Sequence, residues 1–398
     1  MYNQQLVLLL LSLALMLLAS YILSFLLNKF KMPSLLAPLL VGFIFQLPPL
    51  SSYFAGVIYQ AVYSFLAQLG IIFLLFLVGL RLDTSLLREL SGQVIILSIL
   101  NMGFSIILGT IILLYFGNSL LISIIVSTAL AAVAETTIAP ILDELGIIQT
   151  KVASLILGSG IVDDVAEIML ASLASMIVGA KGEITSPLLP VLGFFLFIFL
   201  ILLYHKFIIP LIARFNKEVE SAHIFLLMVS TALIFTSLSQ LFKLGILLGA
   251  IAAGLASQKL LKLVNSESKA LLALTAIAYG FLGPIFFFGV GLSVTLSHIT
   301  ETFQLTVLLL AANFLGKFVA AFIVGKTAKL NLKAIITVGW GLSAKFSMGI
   351  IPVQIFYAFH IIDQQLFSSF IAVSTITTII IPFSLSYLVN KWRHDITQ

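Results

Sequence analysis

Apolar residues in this chain do not alternate with polar ones. They run in long blocks separated by short polar gaps from one end to the other. A helix rises about 1.5 Å per residue, so about 20 apolar residues cross a hydrocarbon core of about 30 Å. Thirteen such segments are predicted: Leu6–Leu27, Leu35–Leu47, Phe65–Leu80, Val94–Phe116, Leu120–Leu142, Val152–Val178, Leu188–Ile209, Ile224–Leu241, Leu244–Ala256, Ala270–Val294, Thr306–Val324, Ala334–Ala358 and Leu366–Leu388. The second and ninth are short. No polar stretch between segments is long enough to fold alone. The pattern predicts an all-α polytopic membrane protein, with Leu6–Leu27 a retained span rather than a signal peptide.

Composition agrees: 61% of residues are hydrophobic and 9% charged, where soluble domains carry about 25% charged residues. Cysteine is absent, which removes disulfides, thiolate metal sites and Cys nucleophiles. The net charge of +5 does not point to nucleic acid, because the cations are sorted by loop. With the N-terminus outside, the external loops hold only Lys181 and Lys243. Lys317 and Lys345 lie within segments, and every other Lys and Arg falls in a cytoplasmic loop or the tail. This positive-inside bias holds only for an odd number of spans, N-terminus outside and C-terminus cytoplasmic.

Thirteen spans divide as six, one and six. A single linking helix then inverts the second half relative to the first, the parity of an inverted-repeat transporter. The boundaries predicted are residues 1–183 for the first repeat, 184–220 for the linking helix and 221–398 for the second repeat. The fifth segment carries AETTIAP at Ala134–Pro140, and the twelfth carries GLSAKFSMGIIP at Gly341–Pro352. Each sets polar residues and a proline inside an apolar run. Proline removes a backbone donor and clashes with the preceding turn, so two broken, crossing helices are expected.

The intramembrane charges are Glu135, Asp163, Asp164, Glu167, Lys317 and Lys345, on the fifth, sixth, eleventh and twelfth segments. A carboxylate at the centre of a span costs about 2.5–3.5 kcal/mol even on the mildest scale, so such groups mark function or paired charge. They predict one shared site at the crossing of the broken helices. Asp164 is the expected ion-binding carboxylate, able to hold either a proton or a monovalent cation. Asp163 points about 100° away and takes a different role. Lys317, in FLGKFVAA, is its expected cationic partner, with Gly316 leaving room for close helix approach. Glu167 shares a face with both aspartates; a second proton carrier and a partner for a loop cation are both open readings. Thr136 and Thr137, beside Glu135 at the break, offer hard oxygen ligands to an alkali cation or back-bond to their own helix. Lys345 sits at the second break, with Glu135 or Glu167 as its expected partner. Gly158, Ser159 and Gly160 permit tight helix contacts. The histidines show no metal-ligand spacing, and no cofactor motif is present.

These stretches resemble a known family. LGSGIVDDVAEIML resembles the Asp-Asp helix of the cation:proton antiporter superfamily, in its paired-aspartate, electrogenic Na+/H+ antiporter-like branch. FLGKFVAA resembles that branch's Gly-Lys motif, and STALAAVAETTIAPILDELGII its first broken helix. KMPSLLAPLLVGF, LAQLGIIFLLFLVGLRLD and PIFFFGVGLSV resemble further spans. The resemblance implies ion binding at Asp164, the lysine-partner role for Asp163, and Lys317 as that lysine. It also implies a homodimer in a bacterial inner membrane and alternating access, a core bundle moving against a dimerising scaffold. The chain departs from the family at the second break. An Arg-Gly-Glu-like stretch is usual there, and this chain has Lys345, Phe346 and Ser347. Glu135 and Glu167 stand where small or apolar residues are usual.

The function expected is exchange of protons for Na+ or K+, with no cofactor and no nucleic-acid partner. The rival is a Na+-coupled solute symporter of the same general fold. An intramembrane aspartyl protease is disfavoured, because adjacent aspartates do not face one another as a dyad. The chain is therefore read as a transporter and not an enzyme.

Overall fold

The structure, a computed structural model, describes residues 2–46, 61–177, 188–210, 221–242, 244–264, 269–292, 302–345, 353, 356–357 and 360–397. Among the described residues there is no strand. The apolar blocks become helices: α1 (Tyr2–Asn28), α2 (Leu36–Gln46), α3 (Ala61–Arg81), α4 (Thr84–Glu89), α5 (Ser91–Tyr115), α6 (Leu120–Ala131), α7 (Glu135–Glu144), α8 (Lys151–Ile177), α9 (Leu188–Leu203), α10 (Ser221–Leu241), α11 (Ile246–Val264), α12 (Lys269–Ile277), α13 (Gly283–Leu292), α14 (Phe303–Thr327), α15 (Leu332–Leu342), α16 (Gln364–Lys391) and α17 (Arg393–Thr397). Among the described residues, eight helical stretches are long and apolar enough to span a bilayer.

Helix starts follow local chemistry. Ser119 accepts a hydrogen bond from the Ile122 amide and caps α6. Asn331 accepts from the Ala334 amide and caps α15, and Asp363 accepts from the Leu366 amide and caps α16. Each satisfies a donor that the first helical turn leaves open. Gly117 and Gly146 follow helix ends with φ of 83° and 71°, the left-handed region that glycine enters without strain.

The chain forms two compact units. One comprises Met1–Leu82 with Gly193–Val294; the other comprises Asp83–Leu192 with Thr295–Gln398. Each joins two separate stretches of the sequence, one from each half. In the first, α2 meets α13 and α3 meets α11 through glycine. A Cβ on Gly42 would lie 2.1 Å from the Phe288 carbonyl oxygen, and one on Gly79 would lie 2.3 Å from that of Ile251. Backbone thus packs on backbone, as small residues allow in membranes.

In the second unit α5 is polar inward and apolar outward. Ser98, Asn101, Ser105 and Gly109 recur every three or four residues and are buried, while Ile95, Ile96, Ile99, Ile107 and Ile111 are exposed. The fifth segment is interrupted between Ala131 and Glu135, with Ala132 extended at φ −52°, ψ 147°. The expected break is present, but Pro140 does not make it. Pro140 lies inside α7, and the chain leaves the helix before reaching it. The interruption is fixed instead by tertiary contact: the Ala134 amide donates to the Ala344 carbonyl at 3.0 Å. On the other strand of the crossing, α15 ends at Leu342, while Phe346, Ser347 and Pro352 lie outside the described residues.

Candidate functional site

A helix that stops inside a membrane leaves its last carbonyls without donors. Here α6 stops at Ala131 and α15 at Leu342, and two lysine ammoniums meet those ends. Lys317 Nζ, from α14, donates to the Ala131 carbonyl at 2.9 Å and the Leu342 carbonyl at 2.5 Å. Lys345 Nζ donates to the carbonyls of Leu130 and of Ala132, the latter at 2.5 Å. Both lysines are fully or nearly fully buried. A cation at a helix C-terminus is favoured by the aligned peptide dipoles, by up to about 2 kcal/mol in partly buried settings. Two asparagines complete the caps: Asn101 Nδ2 reaches the Ala131 carbonyl at 3.4 Å, and Asn313 Nδ2 the Ser343 carbonyl at 3.2 Å.

The aspartates of α8 differ in their surroundings. Asp163 accepts from the Ser98 hydroxyl and, at 2.9 Å, from Asn101 Nδ2. Lys317 and Lys345 also attract it electrostatically. These two hydrogen bonds come from α5. Asp164 Oδ1 is buried with no hydrogen-bond partner among the described residues, and the charge of Asp163 bears on it. A buried ionised oxygen without a donor is costly unless something binds it. A proton or a small cation meets that need, and either excludes the other.

Glu135 opens α7 at the interruption and is 1% exposed, with Thr136 and Thr137 buried behind it. An acid in the first turn of a helix meets the positive end of its dipole. Its carboxylate lies against Gly160 of α8, one turn before the aspartates. Lys345, expected opposite Glu135 or Glu167, donates to the carbonyls of Leu130 and Ala132 at the end of α6; the Glu167 side chain lies outside the described residues. The structure thus brings Asp163, Asp164, Glu135, Lys317 and Lys345 to one crossing. Ser98, Asn101 and Asn313 were not singled out from the sequence. The available signal was a polar stripe of helical period inside the fourth segment, and an Asn one turn before Lys317.

Comparison with known proteins agrees in family and fold. The family described as "Sodium/hydrogen exchanger, transmembrane" matches residues 13–391. A Na(+)/H(+) antiporter of Enterococcus hirae is 28% identical over 384 residues, covering 95% of this chain and 97% of that protein. A probable Na(+)/H(+) antiporter 3 of Methanocaldococcus jannaschii is 26% identical over 377 residues, covering 91% of this chain and 92% of that one. The structure of the sodium proton antiporter MjNhaP1 from Methanocaldococcus jannaschii superposes with a TM-score of 0.65 at 16% identity, covering 99% of this chain and 98% of that one. A family match over nearly the whole chain, joined to apolar helices of membrane-spanning length, places this protein in the sodium/hydrogen exchanger family, among integral membrane proteins.

Proposed function

We propose that this protein is a secondary active transporter exchanging protons for a monovalent cation, Na+ or K+, by alternating access. The observation that carries the reading is the buried Oδ1 of Asp164, without a hydrogen-bond partner among the described residues, beside an Asp163 whose two oxygens each accept a hydrogen bond. One carboxylate is held by protein donors; its neighbour is left for a mobile charge. Asp164 binds the cation, releases it and takes a proton for the return, so competition at one group couples the two fluxes. Ser98 and Asn101 fix Asp163. Lys317 and Lys345 hold the helix ends that frame the site, and Thr136 and Thr137 are candidate oxygen ligands. The names of the relatives, all antiporters, support exchange over symport with an organic solute.

Thirteen spans in two inverted halves are part of the same proposal, with the halves at residues 1–183 and 221–398 and the linker between them. Four shorter apolar helices and the aspartate-bearing α8 accompany the eight long apolar stretches, which supports the count. Asn101 and Asn313 each stand 30 residues before the carbonyl they cap. The shift that carries Asn101 to Asn313 also carries Ala131 to Ser343, the cap Ser119 to the cap Asn331, and Pro140 to Pro352. The loop charges support an external N-terminus and a cytoplasmic C-terminus. A homodimer in a bacterial inner membrane completes the reading.

The test is purified protein in proteoliposomes with a pH-sensitive dye inside. A gradient of Na+, K+ or Li+ is expected to drive opposite proton movement. Proton movement that appears only on adding an organic solute would establish the symporter instead.

A further inference from the structure

Three helices of the second unit share an outward face that ends in two lysines. On α14, Phe314, Phe318, Phe322 and Lys326 recur every fourth residue and form one stripe. On α16, Ser384, Tyr387 and Lys391 form another. Trp340 of α15 joins the two. Its ring lies 5.2 Å from that of Phe314 and 5.9 Å from that of Phe318, and its Nε1 donates to the Ser384 hydroxyl. Between its neighbours α15 is recessed. Beyond its first turn only Ile336 and Trp340 are even partly exposed, whereas Phe322 of α14 and Ile380 and Tyr387 of α16 are exposed. The result is a groove walled by α14 and α16 and floored by Trp340. Phe318 and Ser384 stand eight and seven residues before Lys326 and Lys391, so the floor lies about 10–12 Å deeper than the lysines. We infer that this groove binds an anionic phospholipid, with its phosphate between Lys326 and Lys391 and an acyl chain laid against Trp340. Such a site requires only a bilayer and is independent of the ion transported.

The chemistry selects the ligand. Lys326 lies over the Phe322 ring at 4.7 Å and Lys391 over the Tyr387 ring at 5.6 Å, and among the described residues neither has a carboxylate partner. A ring attracts an ammonium but leaves its N–H donors open to a stronger acceptor. Lys333 at the start of α15 differs, because Asp395 already engages it. Two ammoniums at the mouth call for an anion, and basic side chains near the headgroups favour anionic lipid. The aromatic groove behind them calls for a chain of methylenes. Free phosphate meets only the first demand and a neutral lipid only the second; an anionic phospholipid meets both. Snorkelling alone accounts for lysines at helix ends. It does not account for two stripes that flank one recessed tryptophan. A lipid seated there braces α15, the half-helix whose last carbonyls Lys317 and Asn313 engage.

Trp340 itself reports occupancy. The chain's other tryptophan is Trp392, so W392F leaves Trp340 as the sole tryptophan emitter. Bromine on an acyl chain quenches tryptophan fluorescence on contact. The full-length W392F protein is placed in vesicles of equal parts phosphatidylglycerol and phosphatidylcholine, with bromine on one lipid or on the other. Quenching is expected to show a preference of about tenfold for phosphatidylglycerol at Trp340. K326Q combined with K391Q should bring that preference below about twofold. Lys29 and Lys206 also lie over rings, those of Phe25 and Phe207, on other helices. K29Q combined with K206Q removes the same charge and should leave the preference intact. Equal quenching by the two lipids in W392F overturns the inference. So does an equal loss of preference in both double variants, which is diffuse attraction to the leaflet rather than a site. Should the K326Q and K391Q pair not fold, each is read singly: a preference lowered by either supports the inference, and one unchanged by both overturns it. Added inorganic phosphate should leave the preference unaltered; its abolition would make this a site for a free anion and overturn the lipid reading.

Discussion

In the unit formed by Met1–Leu82 and Gly193–Val294, helices meet through glycine, with Gly79 and Gly254 each closing on the other's helix backbone. Among the described residues its buried polar side chains are hydroxyls: Ser20, Thr231, Thr236, Ser239 and Ser257. In the unit formed by Asp83–Leu192 and Thr295–Gln398 lie all the buried charged residues among those described: Glu135, Asp143, Asp163, Asp164, Lys317 and Lys345. The first unit is held by shape, since lipid tails are as apolar as leucine and only close packing distinguishes one helix neighbour from another. The second is held by charge meeting broken backbone. A break costs unsatisfied carbonyls; a buried lysine costs an unsatisfied ammonium; joined, each supplies what the other lacks.

The comparison breaks most readily at Asp164. Asp164→Asn keeps the shape and removes the charge, and exchange is expected to fall to the background of empty vesicles while the melting temperature holds. Normal exchange in a folded Asp164→Asn protein would show that the charged unit works through some other group.

Next in size is Lys317→Ala, which removes the ammonium from the Ala131 and Leu342 carbonyls and one of the two cations that attract Asp163. Removing one member of a buried charge set costs about 3–5 kcal/mol. Combining it with Asp163→Asn should recover part of the loss, read from denaturation of single and double variants. Strict additivity would deny that the two charges couple.

Ser98→Ala removes a hydrogen bond to a charged group, expected to cost about 1.5–3 kcal/mol and to slow exchange. Gly79→Ala, in the other unit, forces a methyl group against the Ile251 carbonyl, and overpacking of this kind costs about 1–3 kcal/mol. The two variants should destabilise alike yet differ in function: Gly79→Ala is expected to leave the KM for Na+ within twofold of wild type. A large shift in that KM would erase the division between shape and charge.

The smallest effect is expected at the surface. Lys333 pairs with Asp395 at 2.8 Å, and both side chains are more than a third exposed. Lys333→Ala should cost about 0.2–1 kcal/mol, less in high salt, with transport unchanged. A loss of several kcal/mol there would mean that the contact of α17 with the start of α15 matters well beyond one exposed pair.

Much of the architecture was legible because a bilayer imposes it locally. Span length, loop charge and the cost of a buried carboxylate act on contiguous stretches, so the apolar segments, the Asp163–Asp164 pair, Lys317 and the interruption beside Glu135 could be read in order along the chain. Tertiary structure decided what those groups face. Lys317 finds the carbonyl of Ala131 from 186 residues away, and Asp163 takes its donors from Ser98 and Asn101, 65 and 62 residues before it. No periodicity encodes such partners, because a side chain's neighbours across a helix crossing depend on rotation and approach of both helices. The same holds for the break itself. Proline marks where a helix is weak, but the Ala134–Ala344 hydrogen bond sets where this one ends. Gly160 is the sharpest case. In sequence it is one small residue among several; in the fold it is the space into which Glu135 fits.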